Sequence, residues 1–168
     1  IVYLKGSFRG VRLAAQAVYP LERETSPKER MDQIGQWIRH FQEENRVSPA
    51  ALFLGMPRHD AILRYVQLPL AVKENLEKSI EYEMEKYIPL PAESIYFDSQ
   101  VVSEDKDSGR LKLLLVGARR EAIDFYLDLA AQIGVKISGI EPASTALANY
   151  FADLEGPGLA NSCAIVSL

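Results

Sequence analysis

The chain has 168 residues, 48% of them hydrophobic, and a formal net charge of -4, enough apolar material to bury a sizeable core in one compact domain or two small ones. Its 19 basic residues are scattered among 23 acidic ones, which leaves no basic stripe to neutralise a row of phosphates and argues against nucleic acid as a partner. One cysteine, Cys163, excludes an internal disulfide, and no apolar run approaches the roughly 18 residues needed to cross a bilayer, so the chain reads as cytoplasmic.

Val2 to Leu4 and Val11 to Tyr19 are apolar, β-branched runs flanking "KGSFRG", and together they predict an opening hairpin. "SPKE" then predicts a helix start: Ser26 caps, Pro27 fits the first turn and Glu29 reaches back in a capping box. Met31, Ile34, Trp37, Ile38 and Phe41 recur at helical spacing, which buries one face and ends the helix near Asn45. Ala51 to Leu54, bounded by Pro49 and Gly55, is expected to be a central strand covered on both faces.

A second unit follows, with strand Ile62 to Leu68, helix Lys73 to Lys86, strand Ile95 to Val102, the turn "DKDSG" and strand Leu111 to Gly117. Leu76, Ile80, Met84 and Tyr87 make the apolar stripe of its helix. A further helix from Glu121 to Ile133 stops at Gly134, and strand Val135 to Ile140 comes next. Taken alone, residues 62–140 have the order βαββαβ of a split βαβ arrangement, which many unrelated small domains share. Glu141 and Pro142 then open a helix from about Ala143 to Asp153, and "GPG" precedes a last strand. With Ile1 in place of Met and strand-like "CAIVSL" at the end, the chain is expected to be cut at both ends.

The chemistry is sparse. His40 and His59 lack metal-ligand spacing to any other His or Cys, so no metal site is expected. "GSFRG" lacks the Lys-Ser/Thr ending of a phosphate-cradling loop. Ser144 and Thr145 sit at a helix start without an evident base, and capping and packing account for them. Glu141 stands at a strand-to-helix junction, where α/β sheets present groups to ligands, or is a helix N-terminal carboxylate exposed to water. Asp98, beside Phe97 in a strand, reads as an outward-facing acid.

"ILRYVQLPLAVKENLEKSIEYEMEKYIPLPAESIYFDSQVV" and "LLLVGARREAIDFYLDLAAQIGVKISGIEPASTALANYF" together resemble the PilM family of type IV pilus assembly proteins over most of the chain. The carrying motifs are "LP" after a strand, the E-x-E-K-Y-I-P-L-P helix exit, the aromatic-Asp strand, L-V-G-A-R-R-E-x-I, and "EP" before an Ala-rich helix. PilM is similar in fold to FtsA and actin-like ATPases. The resemblance therefore implies an α/β, actin-like (ribonuclease-H-like) subdomain 1A with an inserted βαββ subdomain 1C. Residues 1–56 and 120–155 would form 1A, 57–119 would form 1C, and 156–168 would begin a second actin-like domain, before which the chain is truncated. The last helix and strand of the βαββαβ run would then belong to 1A.

The same resemblance implies a docking role. PilM-like proteins sit on the cytoplasmic side of the inner membrane and bind the N-terminal tail of the membrane protein PilN between 1A and 1C. Arg64, Tyr87, Ile88, Pro89 and Phe97 are the expected groove residues, with the prolines fixing the corner and aromatics anchoring the tail. Alternatively, these residues only close the small core of 1C. The family's phosphate loops are absent from the chain, and Ser167 stands where the second loop would carry an Asp-like residue. Glu141 would be a remnant, or one half, of a nucleotide and metal site. The fragment is thus expected to be no enzyme and to hold no cofactor, with ATP and Mg a matter for the intact protein. The alternatives are a GspL-like type II secretion component that recruits the secretion ATPase, an actin-like ATPase that polymerises, and a free-standing ferredoxin-like regulatory domain.

Overall fold

The computed structural model describes residues 1–8, 10–21, 25–49 and 51–155. The described residues form two compact units, one from Ile1–Leu54 with Asp124–Gly139, the other from Gly55–Ile123 with residues 140–155. The expected strand after "GPG" lies outside the described residues.

In the first unit, β1 (Val2–Ser7) and β2 (Gly10–Gln16) make the predicted antiparallel hairpin, with Lys5 opposite Arg12 and Gly6 opposite Val11. Gly10 closes the turn at φ 114, a conformation closed to most side chains. The second strand stops at Gln16 rather than Tyr19, because Tyr19 leaves the ribbon to stack on Trp37 with ring centroids 5.3 Å apart.

α1 (Pro27–Asn45) starts as the sequence predicts. Ser26 Oγ accepts the Glu29 N–H at 3.3 Å, and the Glu29 carboxylate accepts the Ser26 N–H at 3.0 Å. The Ser26 hydroxyl also donates to Glu29 Oε2 at 2.7 Å, and this bond foremost, followed by that from the Ser26 N–H, holds the Glu29 carboxyl below its ordinary range. At the exit Arg46 takes the left-handed conformation, φ 52, so that the Val47 N–H reaches the Gln42 carbonyl at 2.9 Å. Gly35, Ile38 and Phe41 are the buried residues of α1, and Gly35 meets α3 (Arg120–Ile133), where a Cβ on it would touch Ile133 Cγ2 at 3.4 Å. The Gln132 amide donates to Asp32 at 2.8 Å across the same contact.

α3 ends at Gly134, φ 68, with the Val135 N–H returning to the Ala130 carbonyl at 3.1 Å. That bond commits Val135 to the helix cap, so the next strand, β7 (Ile137–Pro142), begins two residues later than the expected Val135. β7 pairs with β3 (Leu52–Met56). The expectation that β3 is covered on both faces is corrected: the Phe53 side chain is 69% exposed and its ring lies along Gly139, which offers no side chain to cover it. A short apolar run flanked by Pro and Gly does not by itself tell a two-sided strand from one with an open face.

The second unit is built on a three-stranded antiparallel sheet of β4 (Ala61–Pro69), β5 (Ile95–Asp105) and β6 (Arg110–Arg119), with β6 in the centre. Since β7 pairs with β3, no fourth strand joins this sheet among the described residues, and a split βαβ sheet over 62–140 is not formed. α2 (Leu76–Tyr87) covers one face. The helix predicted from Lys73 begins as a 3-10 turn, Leu70–Asn75, because Asn75 sits at φ -124 and provides no side-chain cap. Ile80 and Met84 of α2 join Val66, Leu68, Ile95, Leu111, Leu113 and Leu115 in the core. Each such side chain contributes about 1.5–3 kcal/mol when fully withdrawn from water. β5 and β6 are joined by a turn in which Asp105 Oδ1 accepts from the N–H groups of Asp107 and Ser108, both at 3.0 Å, ahead of Gly109 at φ 64. α4 (Ala143–Glu155) follows β7 directly.

Candidate functional site

The five residues expected at a groove sit mostly in and around the core. Ile88 is fully buried, and its Cδ1 fills the space a side chain would need at Gly117. Tyr87 and Phe97 are half-buried and pack against the same cluster. The Tyr87 hydroxyl donates to Glu83 Oε2 at 3.1 Å, and burial, followed by that carboxylate, pushes the phenol's ionisation above its ordinary range. Pro89 is exposed at the corner, and Arg64 is exposed on β4, where it donates to the Leu63 carbonyl at 3.0 Å. Tyr87, Ile88 and Phe97 are thus brought together in the core, while Arg64 and Pro89 stand at the surface. The corner is rigid for the expected reason: Pro89 and Pro91 fix the backbone, Leu90 N–H reaches the Ile88 carbonyl at 2.8 Å, and Ser94 Oγ donates to the Pro91 carbonyl at 2.7 Å.

The open face of the same sheet carries a groove of about 880 Å³, and none of those five residues lines it. Strand alternation explains the division. On β6, Leu111, Leu113 and Leu115 point to α2, so Leu114 and Val116 point the other way; on β4, Leu63 and Tyr65 do the same. Asp98 lies opposite Val116 in the register and faces the groove with Gln100. The other wall comes from the end of β7 and the start of α4: Glu141, Pro142, Ser144, Thr145 and Asn149. Glu141 is therefore the one residue singled out from the sequence as a ligand-facing group that does line this groove.

The wall is held by local bonds. Thr145 Oγ1 donates to the Pro142 carbonyl at 2.9 Å, and Asn149 Nδ2 donates to Glu141 Oε1 at 2.7 Å, which aims the carboxylate. Ser144 Oγ is shut off from solvent and has no hydrogen-bond partner among the described residues. Tyr65 is 68% exposed, with Lys112 Nζ 4.9 Å from its ring centroid. Chemically the site offers an apolar floor and carboxylates on its walls, the surface an extended segment needs to bury a few side chains and pair a polar one. The sequence did hold a signal for it. "LLLVGA" puts apolar residues on both faces of β6, whereas a sheet with one solvated face alternates apolar with polar.

A mixed α/β chain with a three-stranded sheet covered by a helix on one face and grooved on the other is the class that these elements define. A family profile described as type IV pilus assembly protein PilM matches residues 1–167, and the chain belongs to that family. A solved chain of a PilM-PilN type IV pilus biogenesis complex is similar in fold, with a TM-score of 0.76 at 20% identity over 91% of this chain and 46% of that one. Among curated proteins, the type II secretion system protein L of Xanthomonas campestris pv. campestris is 31% identical over 113 residues, which is 64% of this chain and 30% of the relative. The cytoplasmic domain of EpsL, an inner-membrane component of the type II secretion system of Vibrio cholerae, matches with a TM-score of 0.47 at 20% identity, over 68% of this chain and 42% of that one. The chain thus spans less than half the length of each of these relatives. Its sequence is thus PilM-like over nearly its whole length and, over 113 residues, GspL-like.

Proposed function

We propose that the intact protein is a cytoplasmic scaffold at the inner membrane, part of a type IV pilus assembly platform, and that it captures the N-terminal tail of a PilN-like membrane protein. The observation that carries this reading is the groove opposite α2, walled by Glu141 and Asn149 and floored by Leu114 and Val116. The family match and the likeness to a chain from a PilM-PilN complex support it. Residues 1–56 with 120–155 are proposed as an actin-like subdomain 1A, 57–119 as the inserted 1C, and 156–168 as the start of a second domain. These boundaries follow the family resemblance and differ from the compact units at residues 55–56, 120–123 and 140–155. The stretch described is proposed to perform no catalysis and to hold no cofactor, Glu141 serving the groove rather than a metal.

Calorimetric titration of the intact protein with a synthetic tail from its PilN-like neighbour tests the docking role. Saturable binding that Leu114→Glu abolishes is expected; a tail that gives no heat and no shift in melting temperature defeats it. Adding Mg-ATP to the same protein reads the nucleotide question separately.

A second reading is favoured by the 31% identity to type II secretion protein L. There the same scaffold recruits a secretion ATPase. Co-purification of that ATPase with the intact protein, instead of a PilN-like protein, is the outcome that selects it.

A further inference from the structure

Resting on the reading that an extended tail enters this groove, we infer that the groove selects a segment bearing a lysine or arginine among apolar residues, and that Glu141 and Asp98 are its specificity determinants. The two carboxylates line one groove, yet neither has a cationic partner among the described residues. Glu141 Oε1 is met by the neutral amide of Asn149 at 2.7 Å, and Asp98 Oδ1 by the Ser99 N–H at 2.7 Å, so the donor on each carboxylate is an uncharged group. Lys112, on this face of β6, sits over the Tyr65 ring.

The floor between the acids is apolar, from Leu63, Leu114 and Val116. A small cation alone leaves that floor wet, and an apolar peptide alone leaves two carboxylates facing it unpaired. One extended segment carrying both kinds of side chain satisfies the whole surface. Charge complementarity of this kind acts through encounter rate and discrimination as well as affinity.

Fluorescence anisotropy of the intact protein with two labelled peptides decides the matter: the N-terminal tail of the PilN-like neighbour, and the same tail with every Lys and Arg changed to Gln. The natural tail is expected to bind more tightly, by about tenfold, with the difference shrinking as salt rises. Glu141→Gln keeps an oxygen for Asn149, and Asp98→Asn keeps one for Ser99, so both substitutions retain the local bonds. Each is expected to weaken the natural tail about three- to tenfold and to leave the Gln tail unchanged. Glu77→Gln, on the solvated side of α2, removes the same charge elsewhere and should change neither. Equal binding of both tails, or a natural tail without any Lys or Arg, overturns this inference and leaves the docking role standing. Binding of neither tail overturns both.

Discussion

Gly117→Ala tests how tightly the proline-bounded corner is locked onto the sheet. A Cβ at Gly117 would overlap Ile88 Cδ1, while Ile88 Cγ1 and Cγ2 would stand at 3.6 and 3.7 Å, ordinary contact distances. Ile88 is fully buried, so its terminal methyl has little room to swing aside. Overpacking of this kind costs about 1–3 kcal/mol. Ile88→Val deletes only the offending methyl and costs about 0.5–1.5 kcal/mol by itself. In the double variant the new methyl occupies the vacated space. Less strain remains, and the combined cost should fall short of the sum by about 1 kcal/mol or more. Because the chain forms two compact units, a single unfolding probe averages over them, and hydrogen exchange of the β6 amides is the better assay. Faster exchange in Gly117→Ala, recovered in the double variant, is expected. Strict additivity, with each substitution speeding exchange independently, refutes the packing argument.

Two further predictions concern α1. Ser26→Ala should destabilise the helix start by about 0.5–2 kcal/mol in thermal unfolding. Because the Ser26 bonds depress the Glu29 carboxyl, its contribution is present above the ordinary value of 4.5 and lost as pH falls through the lower folded value. The penalty of Ser26→Ala should therefore shrink in acid, and a penalty that stays constant from neutral pH to pH 3 contradicts the assignment. Arg46→Gly should stabilise the protein by about 1 kcal/mol, since Arg46 holds a left-handed conformation at φ 52 that glycine adopts freely; a lower melting temperature in that variant counts against it.

Local structure was largely legible in the sequence, because local rules set it. "SPKE" gave the helix start, the 3.6-residue stripe of Leu76, Ile80, Met84 and Tyr87 gave the packed face of α2, and the glycine of "DKDSG" gave the β5–β6 turn. Errors of one to a few residues arose where caps override propensity, as at Val135 and Asn75. The groove was harder to see. Which side chains meet there depends on strand pairing across β4, β6 and β5 and on the return of the chain at Glu141, neither of which has a sequence period. An aromatic corner such as Tyr87, Ile88 and Phe97 reads in sequence as a binding surface or as a core edge, and only burial separates the two. Glu141 was visible because its cue, a strand running into a helix, is itself local.

The docking claim is tested most directly by photo-crosslinking in cells that assemble the apparatus, with a photoreactive phenylalanine placed at Tyr65 in the groove or at Tyr82 on the solvated side of α2, where the side chain is 90% exposed. A crosslink from position 65, and not from 82, to the N-terminal tail of a PilN-like membrane protein is the predicted result. A tail captured from position 82 and never from position 65 would contradict it.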